Sequence, residues 1–187
     1  VKSPLTFVVD ADDLWYPQQI TDLLLPIKTV CPNFKITLYA IPNKLGPVHD
    51  LAKEYPWIQF AIHGWEHTHF ECMTWTEEDT NKYIQLALDM GYSRLFKPPN
   101  WIIDPIVEKG LLNSEVALHC HQNYEPVTRR LSYYRGPSKT LPRHVNLHTH
   151  LTANPITDNI STHPGFRAEN LKNADRFEFV SSFLRTL

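Results

Sequence analysis

The feature that most constrains this chain is a steady alternation of short β-rich runs and helical stretches along most of its length. Residues 5–10 (LTFVVD), 34–41 (FKITLYAI) and 57–62 (WIQFAI) read as buried strands. Residues 17–30 read as a helix opened by Pro17 and bent or ended by Pro26, and residues 47–55 as a short helix. Residues 77–90 carry the clearest helical pattern. Thr74 or Thr76 caps it, Glu77 and Glu78 complement its positive end, and Gly91 stops it. Strands are expected at 94–96, 115–120, 131–134 and 144–148, a helix at 105–112, and a closing helix at 176–184. Such alternation predicts a parallel α/β fold, either a barrel or a doubly wound sheet. With 187 residues and neither repeat nor linker, residues 1–187 read as one domain.

The polar clusters fall just after the strands. Asp10, Asp12 and Asp13 follow the first, His63, His67 and His69 the third, and Lys97-Pro98-Pro99-Asn100-Trp101 the fourth. His119 and His121 end the fifth, and His148 and His150 the last clear one. In parallel α/β folds the C-terminal strand ends open on one face, where sites are built. Residues far apart in sequence are therefore expected to converge there. Ten histidines scattered over 187 positions give about 0.5 pairs at any fixed spacing, so a lone H-x-x-x-H is a weak motif. The setting of His63 and His67 distinguishes them: a buried strand, then H-G-W-E-H, with an acidic D-A-D-D run after another strand. Two imidazoles and a carboxylate suit a zinc-type ion with positions left open for water and substrate. A second carboxylate off the metal can take a proton, and a further histidine can protonate a leaving group.

Other classes are excluded on simple grounds. A net charge of −2 provides no basic field for nucleic acid. No apolar run approaches the ~20 residues of a membrane span. The six glycines are too dispersed for a dinucleotide or phosphate loop. Cys31, Cys72 and Cys120 form no C-x-x-C and read as buried free thiols. The chain as given has no signal h-region, and the expected setting is soluble and cytoplasmic.

These motifs resemble those of the NodB-like polysaccharide deacetylases, carbohydrate esterase family 4, as a divergent member. Val9-Asp10-Ala11-Asp12-Asp13 is similar to the family's Asp-Asp motif, and His63-Gly64-Trp65-Glu66-His67 to its H-x-x-x-H. Phe96-Lys97-Pro98-Pro99-Asn100-Trp101 resembles its Arg-Pro-Pro-aromatic segment, and Val145-Asn146-Leu147-His148 its late histidine. The order agrees, and the motifs span residues 10 to 150. The chain departs from the pattern in four places. Leu14 follows the aspartates where glycine is usual, Lys97 replaces arginine, and Asn100 stands where an aromatic is usual. The Asp-x-x-Asp-Trp segment has no match, and His119-Cys120-His121 is the candidate for its place.

The resemblance implies a distorted (β/α) barrel with fewer than eight strands, closed by a helix near residues 176–184. It implies a metal-dependent hydrolase that removes acetyl groups from N-acetylated sugars by metal-activated water. Asp13, His63 and His67 would hold one divalent ion, zinc first, with cobalt, nickel or manganese as alternatives. Asp12 would be the general base, with Asp10 as a substitute for it or as its supporting partner. Asn100 would offer its backbone N–H to the oxyanion. His148 would be the general acid, with His150 as the competing candidate. Lys97, Pro99, Trp101 and Trp65 would line the substrate site, and Tyr124 could pack on a sugar face. His119 and His121 read as supporting residues, and His49, His144 and His163 as surface residues. The expected partner is an acetylated glycan. Two other readings stay open: another metal hydrolase of amidohydrolase or PHP type, suggested by His148-Thr149-His150, and a non-catalytic carbohydrate-binding module on the same fold.

Overall fold

The computed structural model describes residues 4–136, 143–151 and 171–185. The expected surface residue His163 lies outside them. The elements are β1 (Thr6–Leu14), α1 (Leu25–Val30), β2 (Ile36–Ala40), α2 (Pro42–Leu45), α3 (His49–Glu54) and β3 (Ile58–Ile62). They continue with α4 (Glu71–Thr74), α5 (Glu77–Asp89), β4 (Leu95–Phe96), α6 (Pro105–Asn113), β5 (Ala117–His121) and β6 (Tyr133–Gly136). The last are β7 (His144–His150), β8 (Arg176–Glu178) and α7 (Val180–Leu184). None of the described helices is long and apolar enough to cross a membrane.

Every strand pairing is parallel, in the order β6-β5-β4-β3-β2-β1-β7, and the sheet curls into a nearly closed barrel. The short β8 pairs with Thr6–Val8 at the start of β1, beside the stretch from Asp10 onward that pairs with β2. Alternation along each strand divides the side chains into two sets. Phe7, Val9, Ala11, Ile36, Leu38, Ile58 and Phe60 face outward into a core shared with Ile20, Leu24, Ile84, Ala87, Val107 and Leu111 from the helical layer. Val8, Tyr39, Ala61, Leu95 and Tyr134 form an inner cluster, and Val180 and Phe183 of α7 plug its lower end. The upper end of the barrel holds the polar side chains.

Most expected elements occur near their expected bounds. Thr76 caps α5 and forms a full capping box with Asp79. Two expectations need correction. The stretch after Pro17 begins as a π-turn, Ile20–Leu24, before α1. The wider turn accommodates Pro26, which has no N–H to give and so opens α1 rather than ending the helix. The helix expected at 47–55 is present as α3, and the short α2 precedes it. The closing helix at 176–184 is only half helix. Its first part is β8, because Phe177 packs edge-on against Phe7 and Phe34 (5.8 and 5.5 Å) once it lies beside β1.

Candidate active site

Three aspartates on β1 begin the site. Asp10 and Asp12 are two apart, so both point into the barrel, and they are 3% and 2% exposed. Asp13 would face outward on a regular strand. Instead the β1–β2 register shifts between Ala11 and Leu14, and Asp13 has φ +65°. This irregularity turns its carboxylate to the barrel mouth. There Oδ1 lies 3.1 Å from His67 Nε2 and 3.5 Å from His63 Nε2.

The loop after β3 supplies the two histidines. His63 is buried and its Nδ1 donates to the Lys97 carbonyl (2.9 Å), which leaves Nε2 as a lone-pair donor toward Asp13. His67 sits in the left-handed region (φ +60°). A residue missed by the sequence reading holds this loop. Glu71, 5% exposed, accepts the backbone N–H groups of Trp65, Glu66 and His67, each at 3.1 Å. Gly64 is required beside it: at φ +65° a Cβ would overlap Glu71 Oε1 and come within 2.7 Å of Pro99 Cγ. We expect Glu71→Ala to weaken divalent-ion binding about 10- to 100-fold by loosening His67, as measured by isothermal titration with zinc. Unchanged affinity would show that the loop holds without it.

Lys97, just past β4, is fully buried. Its ammonium donates to Asp10 Oδ2 (2.7 Å) and Asp12 Oδ1 (2.6 Å) and lies over the rings of Tyr39 and Trp101. The adjacent Pro99 is also buried. Lys97 and Pro99, expected to line the substrate site, are thus both buried at the barrel mouth's edge. Asn100 is exposed, and it and Trp101 both have positive φ, so the chain turns sharply at the mouth. Trp101 is half-buried, with its ring against His119, His121 and His148. Trp65 has one face stacked on Tyr83 (5.1 Å), and the Tyr124 hydroxyl donates to Glu108.

β7 completes the site by register. Asp10 pairs with His148, and Asp12 with His150. His148 is nearly buried, with Nδ1 2.7 Å from Asp10 Oδ2 and Nε2 3.5 Å from Asp12 Oδ2. His150 is 56% exposed, with Nδ1 3.8 Å from Asp12 Oδ2 and 3.5 Å from Asp13 Oδ2. His119, expected as a supporting residue, is fully buried and hydrogen-bonded to the Tyr39 hydroxyl (2.6 Å). His49 is exposed as expected, whereas His144 is half-buried against Phe183. Cys31, Cys72 and Cys120 are buried free thiols.

Charge is concentrated here. Burial raises the pKa of Asp13, but the imidazoles of His150, His63 and His67 outweigh it and hold the carboxyl well below its ordinary range. Contact with Asp13 raises the pKa values of His67 and His150. Burial, then the Lys97 ammonium, pushes His119 well down, so it is neutral.

Among the described residues two groups bring three ligand atoms together: Asp13, His63 and His67, and Asp12, His148 and His150. The first fits a divalent cation. Asp13 Oδ1 is buried without a hydrogen-bond partner, and two Nε2 atoms face it. The second already has a cation, because the Lys97 ammonium sits 2.6 Å from Asp12.

The fold superposes on those of solved structures. A chitin deacetylase from the fungus Colletotrichum lindemuthianum aligns at TM-score 0.63 and 13% identity, over 96% of this chain and 87% of that one. The fold is that of the family 4 carbohydrate esterases. A family 4 acetyl xylan esterase from Clostridium thermocellum, solved with a cobalt ion, aligns at TM-score 0.59 and 15% identity, over 97% and 90%. A family 4 pseudoenzyme from Bacillus anthracis aligns at 0.58 and 12%, over 97% and 66%. No protein-family model matches the sequence, and no curated protein matches it. The fold is therefore shared with little sequence.

Proposed function

We propose that this protein is a metal-dependent hydrolase that removes acetyl groups from N-acetylated sugars of a polysaccharide or glycoconjugate. One observation carries the reading: Asp12, Asp13, His63, His67 and His148, drawn from three strands, meet at one mouth of the barrel. The family 4 esterase fold, with its deacetylase and acetyl xylan esterase members, supports it. Asp13, His63 and His67 would hold the cation, zinc by donor chemistry, with cobalt, nickel or manganese as alternatives. When bound, that ion lowers the pKa of water and polarises an acyl oxygen.

The remaining steps belong to side chains. Asp12, its Oδ1 tied to Lys97, uses Oδ2 to accept a proton from the attacking water. The Asn100 N–H donates to the developing oxyanion, an interaction worth about 3–4 kcal/mol per donor. His148 gives a proton to the departing amine, which an amide needs before it can leave. Trp101 and Trp65 border the mouth and are candidates for packing on a sugar ring.

The test is acetate release from N-acetylglucosamine oligomers by zinc-loaded protein. Release that stops on chelation and returns with zinc supports the proposal. His148→Ala is expected to slow it about 10²- to 10⁴-fold with zinc still bound. A larger loss in His150→Ala than in His148→Ala would reassign the acid. No release from any acetylated glycan by folded, zinc-loaded protein would favour a non-catalytic carbohydrate-binding module.

A further inference from the structure

His148 has two nitrogens in different surroundings. Nδ1 lies 2.7 Å from Asp10 Oδ2, its register partner across the β1–β7 ladder. An ionised carboxylate only accepts, so this contact puts a hydrogen on Nδ1. Asp10 is ionised: burial raises its pKa, but the Lys97 ammonium and the hydrogen bond from His148 outweigh burial and hold it well below the ordinary range. Lys97 Nζ lies 2.7 Å from the same carboxylate oxygen and 3.2 Å from His148 Nδ1. Two donors thus converge on one carboxylate oxygen; Nδ1 is also within hydrogen-bonding distance of Lys97, but its contact with Asp10 is the shorter of the two and decides where its hydrogen lies. The other nitrogen, Nε2, is buried without a hydrogen-bond partner and lies 3.5 Å from Asp12 Oδ2. His150 faces Asp12 and Asp13 and is more than half exposed.

We propose that Asp10 is a positioning residue that locks His148 in the Nδ1–H tautomer, so that Nε2 carries and delivers the proton. The inference rests on the function proposed above and names the residue that makes His148 an acid. With Nδ1–H fixed, neutral His148 takes a proton on Nε2 and becomes an imidazolium. It then gives that proton to the amine nitrogen as the C–N bond breaks, with the bonding pair leaving on nitrogen. The proton that Asp12 took from water passes to Nε2, and both groups return to their starting states. In the opposite tautomer Nε2–H could leave only by forming an imidazolide, which is prohibitive at neutral pH. Removing the Asp10 carboxylate creates that opposite state. The Lys97 ammonium becomes the donor facing Nδ1 and confines the single imidazole hydrogen to Nε2.

The test is long-range ¹H–¹⁵N NMR of zinc-loaded protein labelled at histidine, with the His148 signals identified by their absence in His148→Gln. Wild-type neutral His148 is expected as the Nδ1–H tautomer, and Asp10→Ala as the Nε2–H tautomer. In acetate release, kcat of Asp10→Ala is expected to fall about 10²- to 10⁴-fold with KM within about threefold. An Nε2–H tautomer in the wild type overturns the proposal without any variant. An unchanged tautomer in folded Asp10→Ala, or undiminished kcat, overturns it while the deacetylase reading stands. A tautomer switch in a protein that releases no acetate upholds the lock and overturns the reaction instead.

Discussion

Lys97→Met is expected to destabilise the protein by about 3–5 kcal/mol at neutral pH, by urea unfolding, because it leaves buried carboxylates without their cation. Methionine replaces most of the lysine stem, so the loss is mainly electrostatic. Asp10 and Asp12 are 3% and 2% exposed, and the ammonium lies within 2.7 Å of both. The pH dependence follows from Asp10. Its pKa is depressed in the folded state, so its contribution is complete above the ordinary value of 3.8 and lost as pH falls toward the folded value. Without Lys97, burial is opposed mainly by the hydrogen bond from His148, and Asp10 protonates at higher pH. A protonated Asp10 needs no cation, so the gap between variant and wild type should narrow as pH falls below about 4. A variant within 1 kcal/mol of wild type at neutral pH would mean that water reaches these carboxylates.

Asp12→Asn is expected to lower acetate release about 10²- to 10⁴-fold while zinc content stays unchanged. Asparagine keeps the size and the acceptor for Lys97 but has no basic oxygen. The ion-binding set, Asp13, His63 and His67, is untouched. The two assays therefore separate a base from a ligand: turnover measures the first and bound zinc the second. Loss of zinc in Asp12→Asn would make this residue a ligand. Full activity would reassign the base, and Asp10 would be the next candidate, although both Lys97 and His148 already occupy its Oδ2.

The strands were readable because each carries a short apolar run, and their parallel pairing followed from the helices between them. The convergence of Asp10, Asp12, His63 and His148 followed from their positions at strand ends. Three features were not readable. Asp13 reaches the histidines only through a left-handed kink, and Asp is one of several residue types that tolerate one. The burial of Lys97 depends on the curl of the sheet, which brings β4 across from β1. A lysine after a strand otherwise reads as a surface group. Glu71 looks like an ordinary residue at the start of a short helix. Its signal was Gly64 followed seven residues later by an acid, since the glycine makes room for the carboxylate. The closing segment failed because residues 176–184 suit a helix locally, while Phe177 gains more by packing on Phe7 and Phe34 beside β1.

The proposed hydrolysis depends on Asp13, His63 and His67 gripping a cation, and anomalous scattering from a zinc-soaked crystal tests this most directly. A single peak about 2.0–2.2 Å from Asp13 Oδ1 and from the Nε2 atoms of His63 and His67 is the predicted result. A peak among Asp12, His148 and His150 instead, or no peak at either group, would contradict it.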